Sequence, residues 1–204
     1  MSKTPAPIKI QDSDRERVRA AAMGDKAAFA ELVKRYQRRL FNFGLRMCGE
    51  TRDAEDLVQE TFLNAFKYLG GFRYETRFKN WLYRIAASIC IKKRRKPKYA
   101  PENEISLDES AQYDPAQMPD RVPDWAQVPL DQLLDAELSR RLKRAVVALP
   151  EKYRLVVVLR DIEGFSTAET AQILDVSESN VKVRLHRARA YLRDTLKSYF
   201  DHAA

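Results

Sequence analysis

Apolar residues recur at every third or fourth position over much of the chain, which is the spacing of residues on one side of an α-helix. The first stripe follows Asp25, whose carboxylate can cap a helix N-terminus, and comprises Phe29, Leu32, Val33, Tyr36, Leu40, Phe43 and Met47. A second stripe ends at Gly70-Gly71, which suits a helix stop, and comprises Ala54, Leu57, Val58, Thr61, Phe62, Ala65 and Leu69. A third comprises Phe78, Trp81, Leu82, Ile85, Ala86 and Ile89. Three such helices can bury a shared core.

The C-terminal part of the chain repeats this pattern. Its first helical stripe comprises Leu138, Leu142, Ala145, Val146 and Leu149. Pro150 then stands where it can open the next helix, expected from Glu151 to about Ile162. The apolar run Leu155–Leu159 could equally be a buried strand, but a helix is favoured because no other segment offers a partner strand. The fold class predicted is all-α, with two small helical domains.

A helix-turn-helix follows. The sequence Ser166-Thr-Ala-Glu169 is a capping box, in which the Ser hydroxyl and the Glu carboxylate each bind a backbone N–H. It predicts a short helix that ends near Asp175. Ser177 can cap a second, longer helix that runs to about Lys197. A short helix, a tight turn and a long helix in this order are typical of DNA-binding proteins.

The long helix has two distinct sides. At about 100° per residue, its core side comprises Val181, Leu185, Ala188 and Leu192. The opposite side offers small groups and donors to bases, with cations along both edges for phosphates. The residues predicted to contact duplex DNA are Ser177, Ser179, Asn180, Lys182, Val183, Arg184, His186, Arg187 and Arg189. The alternative is a basic face that is merely solvated.

Proline and charge mark the boundary between the two domains. Six of the nine prolines fall between residues 97 and 129, where helices and central strands are both disfavoured. From Tyr99 to Glu137 ten acids stand against one base, a charge of −9, whereas Arg73 to Lys98 carries +9. The net charge of +8 hides this segregation. We therefore expect a tail and the start of the first helix at 1–23, a helical domain at 24–96, an acidic linker at 97–134 and the helix-turn-helix domain at 135–200.

Several classes of protein are disfavoured. The sequence has no nucleophile motif, no glycine-rich phosphate loop and no HExxH. Cys48 and Cys90 lack CxxC spacing and a neighbouring cluster of ligands, so neither a metal nor a cofactor is expected. No apolar segment approaches the roughly 20 residues that span a bilayer, and the polar N-terminus does not resemble a secretory signal. We expect a cytoplasmic protein that is not an enzyme and does not insert into membranes.

Longer motifs carry a family resemblance. The runs DAEDLVQETFL, from Asp53 to Leu63, and FRYETRFKNWLYRIA, from Phe72 to Ala86, strongly resemble conserved region two of the bacterial sigma factors. The runs LPEKYR, from Leu149, and VKVRLHRAR, from Val181, resemble their region four. With only a linker between these regions and no long N-terminal extension, the chain is similar to the extracytoplasmic-function (ECF) group of the sigma-70 family.

This resemblance implies a set of partners. The protein would bind core RNA polymerase, recognise the minus-ten and minus-thirty-five promoter elements and initiate transcription of a stress or envelope regulon. An anti-sigma factor would be a further partner. In the family the acidic face of the second helix binds the polymerase. The corresponding residues here are Asp53, Asp56, Gln59, Glu60 and Leu63. The alternative is an acidic face that serves only solubility.

The resemblance also implies a site for the melted promoter strand. Aromatic rings can stack on bases while cations hold phosphates, and the corresponding residues are Phe72, Arg73, Tyr74, Arg77, Lys79, Asn80, Arg84, Ser88 and Lys92. Phe78 and Trp81 are in core phase and are expected to be structural. Where the family often carries Asn, this chain has Ser88, whose shorter side chain would read a different base or none.

The sequence leaves alternatives for the role of the linker and for the function of the whole protein. The family linker threads a positively charged polymerase channel, and the acidic linker would do the same here unless it is only a solvated tether. A rival function is a stand-alone helix-turn-helix regulator, whose N-terminal domain senses a ligand or dimerises. That rival leaves the acidic helix, the aromatic-basic loop and the acidic linker without a role. An RNA-binding protein would fit the charge, but the chain has no RNA-recognition motif.

Overall fold

The computed structural model describes residues 12–94 and 136–202, which are helical and include no strand. The N-terminal unit contains α1 (Arg15–Ala22), α2 (Lys26–Cys48), α3 (Thr51–Tyr68) and α4 (Phe78–Arg94). The C-terminal unit contains α5 (Ala136–Ala148), α6 (Glu151–Val157), α7 (Thr167–Leu174) and α8 (Glu178–His202). The prediction of an all-α fold is confirmed, whereas the acidic linker lies outside the described residues. None of the described helices combines the length and the apolarity needed to cross a bilayer.

Helices α2 and α3 form the closest helix pair of the N-terminal unit. The predicted cap holds, since the Asp25 carboxylate accepts from the backbone N–H of Ala27 at 2.8 Å and of Ala28 at 3.0 Å. Gly44 lies where the two helices cross. A Cβ at this position would lie 2.9 Å from Cα of Ala54, so only glycine permits so short an approach.

None of the apolar stripes in the sequence predicted helix α1. Two acids just before this helix hold it against the rest of the N-terminal unit. Asp12 accepts a hydrogen bond from the backbone N–H of Phe78 at 2.7 Å. The buried Asp14 accepts one from the Tyr36 hydroxyl, and Arg35 Nε lies 3.3 Å from its Oδ1. Burial and this hydrogen bond to Asp14 raise the pKa of Tyr36. Asp12 and Asp14 therefore connect the segment before α1 to α2 and to the start of α4.

The apolar run of the C-terminal unit is helical. Helix α6 continues after Val157 as a wider π-turn, Val158–Ile162, so the predicted helix is right and the strand alternative is wrong. The apolar residues follow one another without interruption because this part of the helix is buried on all sides. Its buried residues include Tyr153, Leu155, Val156, Val157, Val158 and Leu159.

The helix-turn-helix forms as predicted. The Ser166 N–H donates to Glu169 Oε2 at 2.9 Å and the Glu169 N–H donates to Ser166 Oγ at 3.1 Å, which completes the capping box. Helix α7 ends at Asp175, which adopts the left-handed conformation with φ 57°. Ser177 Oγ then accepts from the Asn180 N–H at 3.2 Å at the start of α8.

The two units share one apolar core, and α4 lies against α7. The shared cluster includes Leu82 and Tyr83 from α4 together with Leu159, Phe165 and Ile173 from the C-terminal unit. This packing was not predicted from the sequence.

One buried cation strengthens the junction. Arg154, which is 8% exposed, donates to the backbone carbonyls of Met47, Val147 and Leu149. Met47 and Val147 lie in the last turns of α2 and α5, where carbonyls have no partner within the helix. The guanidinium therefore satisfies helix ends from both units.

Candidate nucleic-acid interface

The recognition helix α8 keeps its polar side open. Val181, Leu185 and Ala188 are buried against α6, as their phase predicts, and Leu192 is half-buried. On the other side the structure exposes Ser177, Ser179, Asn180, Lys182 and His186. The first turns of the helix can therefore be approached by a large partner.

Other predicted contacts of α8 are less accessible. Val183, Arg184 and Arg187 are half-buried. Arg189 forms a two-point ion pair with Asp161, with Nε to Oδ2 at 2.9 Å and Nη2 to Oδ1 at 2.6 Å. This pair fastens α8 to the π-turn after α6. The role of Arg189 at a phosphate stays a prediction, and its guanidinium is already engaged inside the protein.

Aromatic rings of the loop before α4 form a packed cluster. The Phe72 ring is 8% exposed and lies 5.1 Å from the Trp81 ring and 4.9 Å from that of Tyr74. Phe78 is fully buried, as expected, and Trp81 is half-buried. Tyr74 adopts a left-handed φ of 58° and is also half-buried. Stacking on a base is therefore open to Tyr74 and Trp81 rather than to Phe72.

The predicted strand-binding cations divide into two sets. Arg73, Arg77, Arg84 and Lys92 are exposed, whereas Lys79 is half-buried. Lys79 points to the C-terminal unit: its Nζ donates to the carbonyl oxygen of Glu163 at 3.3 Å and lies 4.0 Å from the centre of the Phe165 ring. Burial lowers the pKa of Lys79.

Glu163 is also held by the N-terminal unit through its carboxylate. The Tyr83 hydroxyl donates to Oε2 at 2.6 Å, and Arg46 Nη1 lies 3.5 Å from Oε1. Burial and the neighbouring Glu163 charge raise the pKa of Tyr83. Glu163 thus contacts α2 and α4 at the same time.

Arg77, just before α4, and Asn80 and Arg84 within α4 face two further acids. Asn80 Nδ2 donates to Glu169 Oε1 at 3.2 Å, and Arg77 Nη1 lies 3.7 Å from the same oxygen. Arg84 Nη2 lies 3.8 Å from Asp175 Oδ1. Burial would raise the pKa of Glu169, but hydrogen bonds from Ser166 and Asn80 more than offset it, so its pKa lies below the usual value.

Ser88 lies further along α4 and is half-buried. Its hydroxyl donates to the carbonyl oxygen of Ile85 in the same helix at 2.8 Å. Because that donor is occupied, the side chain presents only a small surface to a partner. A role for Ser88 in reading a base stays a prediction.

Apolar side chains are exposed beside the acids of α3, and two of them, Phe66 and Tyr68, were not predicted from the sequence. Asp56, Gln59 and Glu60 are exposed, and Asp53 is half-buried. Leu63 is 63% exposed, and Phe66 and Tyr68 are each 55% exposed. The signal was available for Phe66, which falls outside the core phase of the helix. Tyr68, seven residues after the buried Thr61, shares the core phase but is exposed as the last residue of the helix. Large exposed side chains beside acids are typical of a protein-binding surface.

The fold and these surfaces define a two-part helical DNA-binding protein, with a helix-turn-helix in one unit and a basic helix beside an aromatic loop in the other. Family comparisons identify both units. The model for sigma-70 region 2 matches residues 32–98, and the model for sigma-70 region 4 matches residues 139–192.

Similar proteins extend over nearly the whole chain. The ECF RNA polymerase sigma factor SigW of Bacillus subtilis is 33% identical over 185 residues, which cover 90% of this chain and 96% of SigW. The ECF sigma factor SigM of Mycobacterium tuberculosis (strain H37Rv) is 33% identical over 180 residues, which cover 88% of this chain and 83% of SigM. The chain therefore belongs to the ECF group of sigma-70 family RNA polymerase sigma factors.

Two solved structures share the arrangement. CnrH in complex with the cytosolic domain of CnrY superposes with a TM-score of 0.65 at 26% identity, over 92% of this chain and 99% of CnrH. The sigma factor RpoE in complex with the anti-sigma factor NepR from Bartonella quintana gives a TM-score of 0.58 at 26% identity, over 83% of this chain and 96% of RpoE.

Proposed function

We propose that this sigma factor binds core RNA polymerase, reads the minus-thirty-five element with α8 and holds the melted strand of the minus-ten element with α4 and its preceding loop. One observation carries the proposal: a single chain joins a helix-turn-helix with an exposed polar face to a second unit with cations beside an aromatic loop. The protein would act by binding alone, without a catalytic step of its own, and would work in the cytoplasm.

The exposure of α8 supports its role at duplex DNA. A recognition helix contacts base edges with residues near its N-terminus, and Ser179, Asn180 and Lys182 are exposed there. His186 and Arg187 follow one and a half turns later. Arg187 is suited to a guanine, whose two major-groove acceptors match a guanidinium.

The second DNA-binding surface combines cations with rings. Arg73 and Lys92 are exposed and can bind phosphates, while Tyr74 and Trp81 offer partly exposed ring faces. Arg77, Lys79, Asn80 and Arg84 complete the proposed surface. These last four residues contact the C-terminal unit. Arg77 and Arg84 are exposed, whereas Lys79 and Asn80 would have to exchange those contacts for DNA.

Polymerase would bind the acidic side of α3. The exposed Asp56 and Glu60 provide charge, and Leu63 provides an apolar contact at the same surface. Such a combination fits a partner with a basic and partly apolar face. RpoE, which resembles this chain, is bound by an anti-sigma factor, and we propose that an anti-sigma factor also regulates this one.

Run-off transcription tests the proposal. The purified chain is added to sigma-free core polymerase with a library of promoter fragments, and the transcripts are sequenced. We expect transcripts that share two upstream motifs and that require both the chain and the polymerase. Sequence-specific duplex binding by the chain alone, with no transcripts, would instead identify a stand-alone regulator.

Variants of α3 test whether this helix binds the polymerase. Asp56→Asn combined with Leu63→Ser should weaken binding to core polymerase about tenfold or more, because an interface loses a charge and a central apolar group. Glu31→Gln, an exposed acid on α2 outside the proposed surface, is the matched control and should bind like the parent. Equal affinities in titrations with labelled protein would remove α3 from the interface.

A further inference from the structure

The start of α4 is capped from a distant part of the chain. Phe78 is the first residue of this helix, and the N–H groups of a first helical turn find no acceptor within the helix. The preceding side chain, Arg77, carries only donors and cannot accept. Asp12 supplies the acceptor, since its Oδ2 lies 2.7 Å from the Phe78 nitrogen although the two residues are 66 positions apart.

The carboxylate of Asp12 is itself fixed on its other side. Its Oδ1 accepts a hydrogen bond from the backbone N–H of Asp14 at 3.0 Å. Asp14 is buried and accepts one from the Tyr36 hydroxyl of α2. Asp12 therefore links the first residue of α4 to the packed interior of the N-terminal unit.

A second residue of the same segment contacts the Tyr74 ring. Arg15 is exposed, and its Cζ lies 5.7 Å from the centre of that ring, which is within the range of a cation–π contact. The Phe72 ring lies 4.9 Å from the same ring. Tyr74 has a left-handed φ of 58°, a conformation that a residue other than glycine keeps only when its surroundings hold it there. Arg15 is one of the groups that do so.

The loop between these contacts carries proposed DNA contacts. At one end the Phe72 N–H donates to the carbonyl oxygen of Leu69 at 3.0 Å, and at the other end Phe78 is bound to Asp12. Residues 73–77 lie between the two ends. Recognition of a single base requires that the recognising side chain be held within a fraction of an ångström, which depends on the residues that support it.

We propose that Asp12 and Arg15 are positioning residues for base recognition at the minus-ten element, because they hold the loop 73–77 in the conformation that presents Tyr74 to the melted strand. This inference rests on the proposed role of that loop in strand binding. Without either residue the loop leaves this conformation for part of the time, while the exposed Arg73 and Lys92 still bind phosphates. Base preference therefore falls more than strand binding does.

The sign of the effect separates positioning from simple electrostatics. Asp12 is an acid close to a surface proposed to bind a polyanion, so general electrostatics predicts that Asp12→Ala binds DNA more tightly with its base preference intact. Positioning predicts a loss of base preference. Asp12→Asn keeps an oxygen that can accept the Phe78 N–H and is a favourable cap, so it should retain most of the preference.

The experiment uses the full chain with core polymerase and a promoter library randomised at both elements. The relative transcript yields give the base preference at each promoter position. In Asp12→Ala we expect the preference at one or two adjacent positions of the minus-ten element to fall about fivefold, the effect of losing one helix cap. Preferences at the minus-thirty-five element, which α8 is proposed to recognise, should not change and serve as an internal control.

Variants of Arg15 give an independent measurement. Arg15→Met should lower the preference at the same positions about two- to fivefold, because the ring loses one weak cation–π contact. Arg38→Met, an exposed cation on α2, is the matched control and should keep the preferences of the parent.

Two results would overturn the proposal. One is an Asp12→Ala protein with the preferences of the parent at the minus-ten element. The other is an equal loss of preference at both elements, because that result reports a general loss of folded protein. If Asp12→Ala fails to fold, Arg15→Met decides, since the Arg15 side chain is exposed. A parent protein that shows no preference at either element would contradict the proposed function itself, which is a different result from a preference that parent and variant share.

Discussion

At the scale of single residues, the partner of a charged side chain decides what that side chain can do. Arg187 and Arg189 are two residues apart on α8 and were both predicted to contact DNA. Arg189 forms a two-point ion pair with Asp161 at 2.6 and 2.9 Å. A guanidinium held in this way positions the helix, whereas Arg187 lies on the side of α8 that includes the exposed Ser179 and His186.

The position of Arg187 on this side of α8 predicts the effect of Arg187→Ala. In the polymerase-bound protein, the substitution should cost about 1 to 3 kcal/mol of binding at one base position of the upstream element and relax specificity there. Arg193→Ala, an exposed cation on the edge of the helix, is the control. It should weaken all sequences equally. Competition binding with single-base variants of the promoter measures both effects, and a uniform loss with Arg187→Ala would assign it to a phosphate.

At the scale of elements, the helices are defined by local signals and positioned by close packing. Asp25 and Ser166 cap α2 and α7 as their sequences predict. The crossing of α2 with α3 depends instead on the missing side chain of Gly44. Helix α3 carries the proposed polymerase surface, so this crossing sets its orientation relative to α4.

Substitution of Gly44 tests that crossing. Gly44→Ala would place a methyl group 2.9 Å from the backbone of Ala54, and the overpacking should lower the free energy of unfolding by about 1 to 3 kcal/mol. Gly70→Ala is a matched control, because a Cβ there meets nothing within 4 Å. Urea denaturation followed by circular dichroism gives both values. A Gly44→Ala protein as stable as the control would show that the helices can separate at no cost.

At the scale of the whole molecule, the two units behave as one packed body. One apolar cluster includes Tyr83 of α4 and Phe165 of the C-terminal unit. Arg154 donates to the last turns of α2 and α5 and so joins both units through backbone carbonyls. Loss of such a donor leaves buried acceptors without partners, which is costly.

The shared core predicts one cooperative unfolding transition. In a Trp125→Phe background, Trp81 fluorescence reports the N-terminal unit and circular dichroism reports all helices. We expect the two signals to have coincident midpoints in urea. Arg154→Met should lower the free energy of unfolding by about 2 to 3 kcal/mol and so move both midpoints to lower urea concentration. The exposed Arg52→Met is the control and should leave both unchanged. Separate midpoints in the parent protein would contradict a shared core.

Local chemistry accounts for what the sequence alone determined. Helical periodicity, the caps at Asp25 and Ser166 and the core phase of α8 depend on residues within one or two turns of each other, so they can be read from spacing. The same holds for the membership of the sigma-70 family, which rests on contiguous motifs. The exposed acids of α3 also follow from phase, although the exposed Phe66 and Tyr68 beside them were not predicted.

Only the tertiary structure determined which faces meet. Lys79 and Glu163 are far apart in sequence, and periodicity shows that a face is buried without showing what covers it. The pairing of Arg189 with Asp161, the position of Arg154 between two helix ends and the approach of α7 to α4 all arise from such long-range packing. The helix-turn-helix could therefore be predicted from local signals, whereas the packing of the C-terminal unit against α4 could not.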